Sequence, residues 1–349
     1  MADKKTNKGK GKKSGRNVLL WSCVVLMIIG SAAYICGSYM LHRYRGAETW
    51  LYVPQGTTEY QLRDLLTSRL GADEGSRVYN IWKFREADPD KAHGAYLIKP
   101  GDRSLNIARR LRSGLQSPKR AMWHDARTLR QVAERVTADL ECTPEQFLMA
   151  CDSILPAEGF DKAEMPAAFL PDTYEFYWSV KPADLVRRLL GYRNDFWTPE
   201  RVEKASDMGL TPVQVAIVAS IVEEETAKSD ERPLVARLYL NRLEKGMKLQ
   251  ADPTVKFAVG DASIRRITSR HLSTPSPYNT YLHAGLPPGP IRVVDRRTLD
   301  AVLNAPHHDN LYMCAKEDFS GYHNFAKDYA THQANARRYQ AELNRRGIR

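Results

Sequence analysis

The chain has 349 residues, of which 27% are charged and 43% are hydrophobic, and its mean hydropathy is −0.49. These values are typical of a folded globular protein, and they exclude collagen-like, mucin-like, wholly disordered and polytopic membrane chains. The formal net charge is +11, but residues 1–17 hold seven Lys and Arg against one Asp, so more than half of the surplus lies in this tail. The net charge therefore gives no ground for a nucleic-acid partner, and we expect none.

A single membrane-spanning helix is predicted for residues 18–41, which contain no charged side chain. As a helix this segment would be about 36 Å long, enough to cross a hydrocarbon core of about 30 Å. The alternative is a cleaved signal peptide, but the uncharged run continues past the weak cleavage site at 31–33. We favour an uncleaved anchor. The basic tail, residues 1–17, then stays in the cytoplasm and the rest of the chain lies outside it.

Residues 49–118 are predicted to form a small mixed α/β unit. Strand-like and helix-like patterns alternate in it, and Pro and Gly separate them. In chain order the predicted elements are a strand at 49–53, a helix from Thr57 or Thr58 to Leu70, a helical piece at 79–84, a strand at 94–98 and a helix that Ser104 caps and Gly114 ends.

Residues 119–160 are predicted to be a helical connection, because apolar side chains recur at helical spacing over 128–150. The segment from Pro156 to Tyr177 is rich in aromatic residues and is predicted to be irregular, and Pro182–Phe196 is predicted to be a helix. Cys142 and Cys151 are either a disulfide or two buried thiols, and the spacing does not decide between these alternatives.

The strongest helix start in the chain is at Thr211, with Pro212 at the first helical position and Gln214 placed to complete a capping box. The following run, VQVAIVASIV, is apolar on all sides and is typical of a core helix. It ends in Glu223-Glu224-Glu225. A helix C-terminus, neighbouring acids and burial each raise a carboxyl pKa, so one of the three is a candidate general acid.

Helical spacing favours Glu225 slightly among the three acids, because it shares a face with Val218, Ile221 and Val222. The alternative is a solvated acidic helix end whose carboxylates pair with basic residues further along the chain, namely Lys228, Arg232 or Arg237.

A second helix is predicted after the three acids, opened by Ser229 or Asp230 and closed by Gly246. Residues 247–250 are predicted to form a short strand, followed by a turn at 251–254. A metal hydrolase is disfavoured because the His residues lack an HExxH spacing, and we expect no metal ion and no organic cofactor.

Several motifs occur in a characteristic order: ASIVEEET, SDERPLVARLYLNRLEKGMKLQADPTV, SPYNTY, GLPPGPI and YHNF. In this combination the chain resembles the MltG (YceG-like) endolytic murein transglycosylases over about residues 160–340. The resemblance implies an α+β protein with a single N-terminal transmembrane helix. It also implies a LysM-like subdomain at 49–118 and a catalytic domain at 161–345.

The resemblance implies an enzyme that cuts peptidoglycan between N-acetylmuramic acid and N-acetylglucosamine without water and leaves 1,6-anhydro ends. The last acid of the family's E-x-E-T motif is its catalytic residue, and that position here is Glu225. The motifs also contain candidate substrate-binding residues: Gln250, Asp252, Tyr278, Asn279, Tyr281, Tyr322, His323 and Phe325. The aromatic ones are equally consistent with packing residues.

The implied partners are peptidoglycan glycan strands, the inner membrane through one helix, and peptidoglycan synthases that elongate nascent strands. The alternative from another functional class is a non-catalytic, membrane-anchored scaffold that binds peptidoglycan. Such a scaffold needs a sugar-binding groove but does not need Glu225.

Overall fold

The computed structural model describes residues 11–85, 87–261, 263, 264 and 266–347. The chain forms two compact units. The first extends to Pro118 and includes residues 177–179, and the second contains residues 119–176 and the chain from Val180 onward. Helices predominate and the sheets are small, so the predicted α+β class is confirmed.

The first unit begins with helix α1, Gly11–Met40. Its stretch from Asn17 to Met40 has a mean hydropathy of 2.3, and no part of its most apolar window is buried in the protein. Such a helix is long and apolar enough to cross a bilayer, which is consistent with the predicted membrane anchor.

The rest of the first unit is a two-stranded antiparallel sheet covered by helices. Thr58 caps α2 through a complete capping box with Gln61, and Leu62, Leu66 and Leu70 of α2 are buried, as the pattern predicts. The predicted piece at 79–84 is the second half of a longer helix, α3. The elements are β1 (Thr49–Val53), α2 (Glu59–Leu70), α3 (Ala72–Phe84), β2 (Gly94–Ile98) and α4 (Ser104–Ser113), with β1 paired to β2 from Thr49↔Ile98 to Val53↔Gly94.

The second unit is built mainly of helices around one hydrophobic core. Its two sheets are antiparallel pairs, β3 with β4 and β5 with β6. In chain order the elements are β3 (Lys119–Trp123), α5 (Leu129–Thr137), α6 (Pro144–Ile154), β4 (Asp172–Phe176), α7 (Pro182–Phe196), α8 (Pro199–Asp207), α9 (Pro212–Glu225), α10 (Arg232–Glu244), α11 (Asp252–Val259), α12 (Ser269–Leu272), α13 (Arg296–Leu303), β5 (Tyr312–Ala315), β6 (His323–Ala326) and α14 (Tyr329–Arg345).

Helix α9 is the centre of the second unit, where it packs against α10, α11 and α13. Every residue from Val215 to Val222 is buried, because a helix with no polar face has to be covered on all sides. Buried side chains of α5, α6 and α7 belong to the same core. The segment 119–160 therefore packs within this unit. Cys142 and Cys151 are separate buried thiols in it.

Three segments differ from the sequence prediction. Residues 247–250 do not form a strand, because the main-chain oxygen of Leu249 accepts a hydrogen bond from Nη1 of Arg242 (2.6 Å) rather than from a neighbouring strand. The predicted turn at 251–254 is the start of α11, with Asp252 and Pro253 in its first turn, where both residue types are favourable. The predicted irregular segment Pro156–Tyr177 contains strand β4, whose partner β3 lies about 50 residues away and leaves no local signal.

Candidate active site

Helix α9 delivers three glutamates to one place and holds them there. Thr211 accepts a hydrogen bond from the amide of Gln214 and Gln214 bonds back to Thr211, so the predicted capping box is present with Pro212 in the first turn. The buried apolar stretch that follows fixes the rotation of the helix about its axis. The acids occupy the last turn, Glu225 is the last helical residue, and Thr226 leaves the helix in an extended conformation.

Glu223 and Glu224 are neutralised by arginines from distant parts of the chain. Glu224 bonds to Nη1 of Arg292 (2.8 Å) and Nη2 of Arg127 (2.6 Å). Nε of Arg292 lies 3.2 Å from Glu223, within ion-pair distance although without the angle of a hydrogen bond. Glu223 also accepts a hydrogen bond from the hydroxyl of Thr298 (2.6 Å). These two acids are therefore held as paired carboxylates.

The alternative interpretation, a solvated acidic helix end paired with Lys228, Arg232 or Arg237, is wrong. Arg232 donates to Thr298, Arg237 binds Glu244 and Asn241, and Lys228 lies over the ring of Tyr322. All three are close to the acids in sequence, but the turn after Thr226 and the direction of α10 carry them elsewhere. The cations that do pair with the acids, Arg127 and Arg292, lie in loops from other parts of the unit.

Glu225 forms no salt bridge among the described residues and lines a cavity of about 200 Å³. Its Oε1 accepts a hydrogen bond from the hydroxyl of Tyr239 on α10 (2.7 Å). Burial raises the pKa of Glu225 to about 7; the Tyr239 hydrogen bond lowers it, the charge of Asp252 raises it, and His323 and Lys256 lower it. A carboxyl with this pKa is present in both protonation states near neutral pH, which is what a general acid and base requires.

The cavity is polar, and four segments line it besides α9: helix α10, residues 249–252, the loop that carries Tyr281, and the pair of strands β5 and β6. Helix α10 contributes Tyr239 and Arg242, and the guanidinium of Arg242 donates to the main-chain oxygens of Leu249 and Leu311 (both 2.6 Å), so it holds two of the walls together. The full lining is Glu225, Leu238, Tyr239, Arg242, Leu249, Gln250, Asp252, Tyr281, Met313, Cys314, Ala315 and His323.

Four of the eight predicted substrate-binding residues line this cavity. Tyr281 donates its hydroxyl to Oδ1 of Asp252 (2.7 Å), and burial raises the pKa of Tyr281 well above its usual value. Gln250 has a left-handed backbone (φ 50°), and its amide donates to the oxygen of Thr280 (3.2 Å). A left-handed non-glycine residue is uncommon, and such strain is concentrated at functional sites.

His323, the fourth of these residues, is held by a buried acid. Glu231 is 2% exposed, and it accepts the main-chain N–H of His323 (2.6 Å) and lies 3.0 Å from Nδ1 of the ring. Glu231 thus holds both the main chain and the ring of His323, which leaves the imidazole little freedom to rotate away from the cavity wall.

Tyr278 and Asn279 do not line the cavity. Asn279 is fully buried, and its side chain donates to the main-chain oxygens of Leu272 and Thr274 (both 2.9 Å), so it shapes the loop that carries Tyr281. The ring of Tyr278 packs against Phe257, with centroids 4.7 Å apart. Both residues support the loop in this structure.

Tyr322 and Phe325 also lie away from the cavity. The hydroxyl of Tyr322 donates to Asp230 (3.0 Å), and its ring lies under two lysine side chains. Phe325 packs against the core of the second unit and against the ring of His308. The packing interpretation of the aromatic residues therefore describes Tyr278 and Phe325.

Sequence reasoning missed Tyr239, Arg242 and Glu231. Tyr239 lies in the run RLYLNR, where the leucines indicate a core helix and a single tyrosine gives no sign of its partner. The signal that was available is weak: two polar residues three positions apart, Tyr239 and Arg242, share one face of a helix that is otherwise buried.

Comparison with known proteins identifies a family for this chain. The model of the YceG-like family matches residues 51–338. A protein of Bacillus subtilis (strain 168) named endolytic murein transglycosylase is 31% identical over 164 residues, 47% of this chain and 43% of that protein. A protein of the same name from Streptococcus pneumoniae serotype 2 is 32% identical over 152 residues, 42% of this chain and 27% of that protein. The aligned regions thus span less than half the length of these curated relatives.

A solved structure shares the fold. The 2.6 Å crystal structure of a putative yceG-like protein from Listeria monocytogenes superposes with a TM-score of 0.54 at 23% identity, and the match covers 82% of this chain and 98% of that one. At this identity the likeness concerns the fold alone. The family model, in contrast, matches most of the chain and agrees with the motifs described above, so the protein belongs to the YceG-like family.

Proposed function

We propose that this protein is a membrane-anchored lytic transglycosylase that cuts peptidoglycan glycan strands internally, with Glu225 as its catalytic residue. The observation that carries the proposal is the contrast within one helix turn. Glu223 and Glu224 are held as ion pairs by Arg292 and Arg127, whereas Glu225 has a pKa near 7 at the wall of a polar cavity. The names of the curated relatives support the same reaction class.

A single carboxyl suffices for the proposed chemistry. Protonated Glu225 donates its proton to the glycosidic oxygen as the bond from that oxygen to C1 of N-acetylmuramic acid breaks. The resulting carboxylate then takes the proton from the C6 hydroxyl of the same sugar, whose oxygen bonds to C1 and closes a 1,6-anhydro ring. The attack is intramolecular, so the substrate itself positions the nucleophile, and the enzyme ends with Glu225 protonated again.

The neighbouring groups have positioning and binding roles in this proposal. Tyr239 holds Oε1 of Glu225 and stabilises its carboxylate between the two proton transfers. Gln250, Asp252 and His323 offer hydrogen-bonding groups to the hydroxyl and N-acetyl groups of the sugars, and Tyr281 offers part of a ring face. These residue types are the usual partners of carbohydrate, which presents alternating polar edges and apolar faces.

A hydrolase is the second reaction to consider, because Asp252 is another carboxylate at the cavity among the described residues. Hydrolytic glycosidases use two carboxyl groups, one as acid and the other as nucleophile or base. Asp252 already accepts the hydroxyl of Tyr281, which makes it a poorer nucleophile. Digestion of purified sacculi with mass analysis distinguishes the three functions. A lytic enzyme releases anhydro-muropeptides, a hydrolase releases products one water heavier, and a scaffold releases nothing.

The pH dependence of cleavage should report the Glu225–Tyr239 contact. Because the acid must begin protonated, we expect the initial rate of anhydro-product formation to fall as the pH rises above about 7. Tyr239→Phe removes a donor that lowers the pKa of Glu225, so the falling limb should move to higher pH and the rate near pH 6 should drop about tenfold. Tyr174→Phe is the matched control, since its buried hydroxyl binds a main-chain oxygen elsewhere. An unchanged limb in Tyr239→Phe would contradict this role for Tyr239.

We also propose that α1 spans the inner membrane with the basic N-terminus in the cytoplasm, so that both compact units meet nascent strands beside the peptidoglycan synthases. A chain lacking residues 1–41 should then be soluble, folded and active, because the apolar side chains of α1 are mostly exposed and contribute little to the core. Size-exclusion chromatography, circular dichroism and digestion of sacculi measure the three properties. An aggregated or unfolded product would show that α1 is part of the fold.

A further inference from the structure

Four cations surround one surface depression of about 520 Å³ in the first unit: Arg85, Lys91, Arg109 and Arg112. Within the described part of the chain none of the four forms an ion pair. Phe84, the last residue of α3 and the neighbour of Arg85 in sequence, is 80% exposed. We call these five residues the basic surface. Positive charge around an exposed aromatic ring is the composition of proteins that bind at a membrane interface.

The direction of α3 shows where this surface lies relative to α1. Glu74 near the start of α3 is 3.5 Å from His42, just after α1. One turn later the guanidinium of Arg77 lies over the ring of Tyr39, and Nδ2 of Asn80 is 3.2 Å from the Tyr39 hydroxyl. Contacts that advance along α3 thus move backward along α1. The side chain of Tyr39 leans toward the N-terminus of its helix, so α3 runs toward the membrane-spanning part of α1.

Helix α4 runs in the same direction. At its start, Ser104 donates its amide to the oxygen of His42 (2.9 Å) and its hydroxyl to Glu74 (2.8 Å), so α3 and α4 begin at the same level. At its other end Arg109 and Arg112 share a depression with Arg85, so the two helices also end together.

Lys91 is brought to the same place by a close contact. Gly114 follows α4 with φ 64°, and the oxygen of Lys91 is 2.9 Å from the position that a Cβ of Gly114 would occupy. A side chain there would collide with this main-chain oxygen, so the residue after α4 has to be glycine. The turn that carries Lys91 therefore packs directly on the end of α4.

We infer that the basic surface docks onto the anionic lipid headgroups of the bilayer that α1 spans. Phe84 lies one helical turn, about 6 Å, beyond Asn80 in the direction of that bilayer. The four cations then contact phosphate groups, and the ring of Phe84 enters the boundary between headgroups and acyl chains. Docking would hold the first unit in one orientation on the membrane. The inference depends on the proposed membrane insertion of α1 and is independent of the cleavage chemistry.

Helix polarity alone does not explain the surface. Cations are favourable at helix C-termini, which accounts for a basic residue at the end of α3 or α4. Lys91 belongs to neither helix, and polarity does not call for an exposed Phe84. The described acids nearest to Lys91 in sequence are Asp90 and Asp88, and Asp88 accepts the main-chain N–H of Asp90 as the cap of its turn.

Photo-crosslinking in nanodiscs tests the inference on the full chain. The probe p-benzoyl-phenylalanine replaces Phe84, and in a second protein it replaces Arg69, which is exposed at the opposite end of the neighbouring helix α2. In nanodiscs containing phosphatidylglycerol, we expect lipid adducts by mass at least tenfold more abundant from position 84 than from position 69. In discs of phosphatidylcholine alone the yield at position 84 should fall several-fold, since the electrostatic attraction of each cation is lost.

Charge reversal supplies the matched comparison. Arg109→Glu with Arg112→Glu should lower the adduct yield at position 84 about tenfold. Arg69→Glu with Arg103→Glu changes the net charge equally at exposed sites at the other ends of α2 and α4, and should leave the yield unchanged. Equal yields at positions 84 and 69, insensitivity to lipid charge, or adducts to another protein instead of lipid would each overturn the inference. A chain that fails to co-purify with the nanodiscs would overturn it together with the membrane insertion, whereas loss of cleavage alone would not affect it.

Discussion

Glu225→Gln is expected to lower glycan cleavage by about 10³-fold or more while leaving the protein folded. Gln has nearly the same shape and still accepts the hydrogen bond from Tyr239, but it neither donates a proton to the glycosidic oxygen nor takes one from the C6 hydroxyl. Loss of a general acid alone costs about 10²–10⁴-fold, and here the same group serves as the base. Release of anhydro-muropeptides from purified sacculi measures the loss.

Although Glu225→Gln should lower activity, it should raise the stability of the folded protein at high pH. The folded-state pKa of Glu225 is about 7 against 4.5 in a model compound, so its ionised form is disfavoured by folding. This cost is absent well below pH 4.5 and is complete above about pH 7. Glu225→Gln should therefore be more stable than the wild type at pH 8, by roughly 2 kcal/mol after allowance for the open cavity, and equally stable near pH 4.

Glu224→Gln is the matched control for the active-site substitution, since the same change one residue earlier alters an ion pair with Arg292 and Arg127 rather than the cavity. We expect it to retain most of the activity per folded molecule. Retained turnover in Glu225→Gln, or equal losses in both variants, would remove Glu225 from the proposed role.

Arg292→Met should destabilise the second unit by about 3–5 kcal/mol. The side chain of Arg292 is 13% exposed, and it lies between Glu223 and Glu224, which are 8% and 12% exposed. Without the guanidinium, two nearly buried carboxylates lose their shared cation, and among the described residues Arg127 remains as an ion-pair partner of Glu224 alone. Removing one partner of a buried ion pair is costly because the other charge stays behind, poorly hydrated.

Denaturant unfolding followed by circular dichroism measures this loss. Arg297→Met is the control, because Arg297 is 86% exposed and pairs only with Asp295 among the described residues, so its removal should cost less than about 1 kcal/mol. The loss in Arg292→Met should shrink as the pH is lowered, because protonation removes the negative charge that the guanidinium had balanced. Equal stability of Arg292→Met and Arg297→Met at pH 7 would show that the ion pairs of Arg292 do not stabilise the second unit.

Elements that depend on neighbours in sequence were predictable. The start of α9 follows from Thr211, Pro212 and Gln214, and its burial follows from an uninterrupted apolar run. The start of α2 at Thr58 and the whole of α7 follow in the same way. The sequence predictions were wrong where hydrogen bonds to a side chain or to a distant strand determine the local structure. Leu249 bonds to an arginine side chain instead of a strand, and β4 pairs with a strand far along the chain.

For the candidate site, the sequence by itself determined that three acids end a buried helix, and the family motif singled out Glu225. Only the tertiary structure decided why the three acids differ. Arg127 and Arg292, which pair with Glu224, lie 97 and 68 residues from it in sequence. Tyr239 contacts Glu225 from the neighbouring helix α10. Local spacing specifies which face of a helix a carboxyl occupies, because residues three or four positions apart lie on the same face. Its pKa depends on burial and on charges that the folded chain brings within a few ångströms, and no local pattern records them.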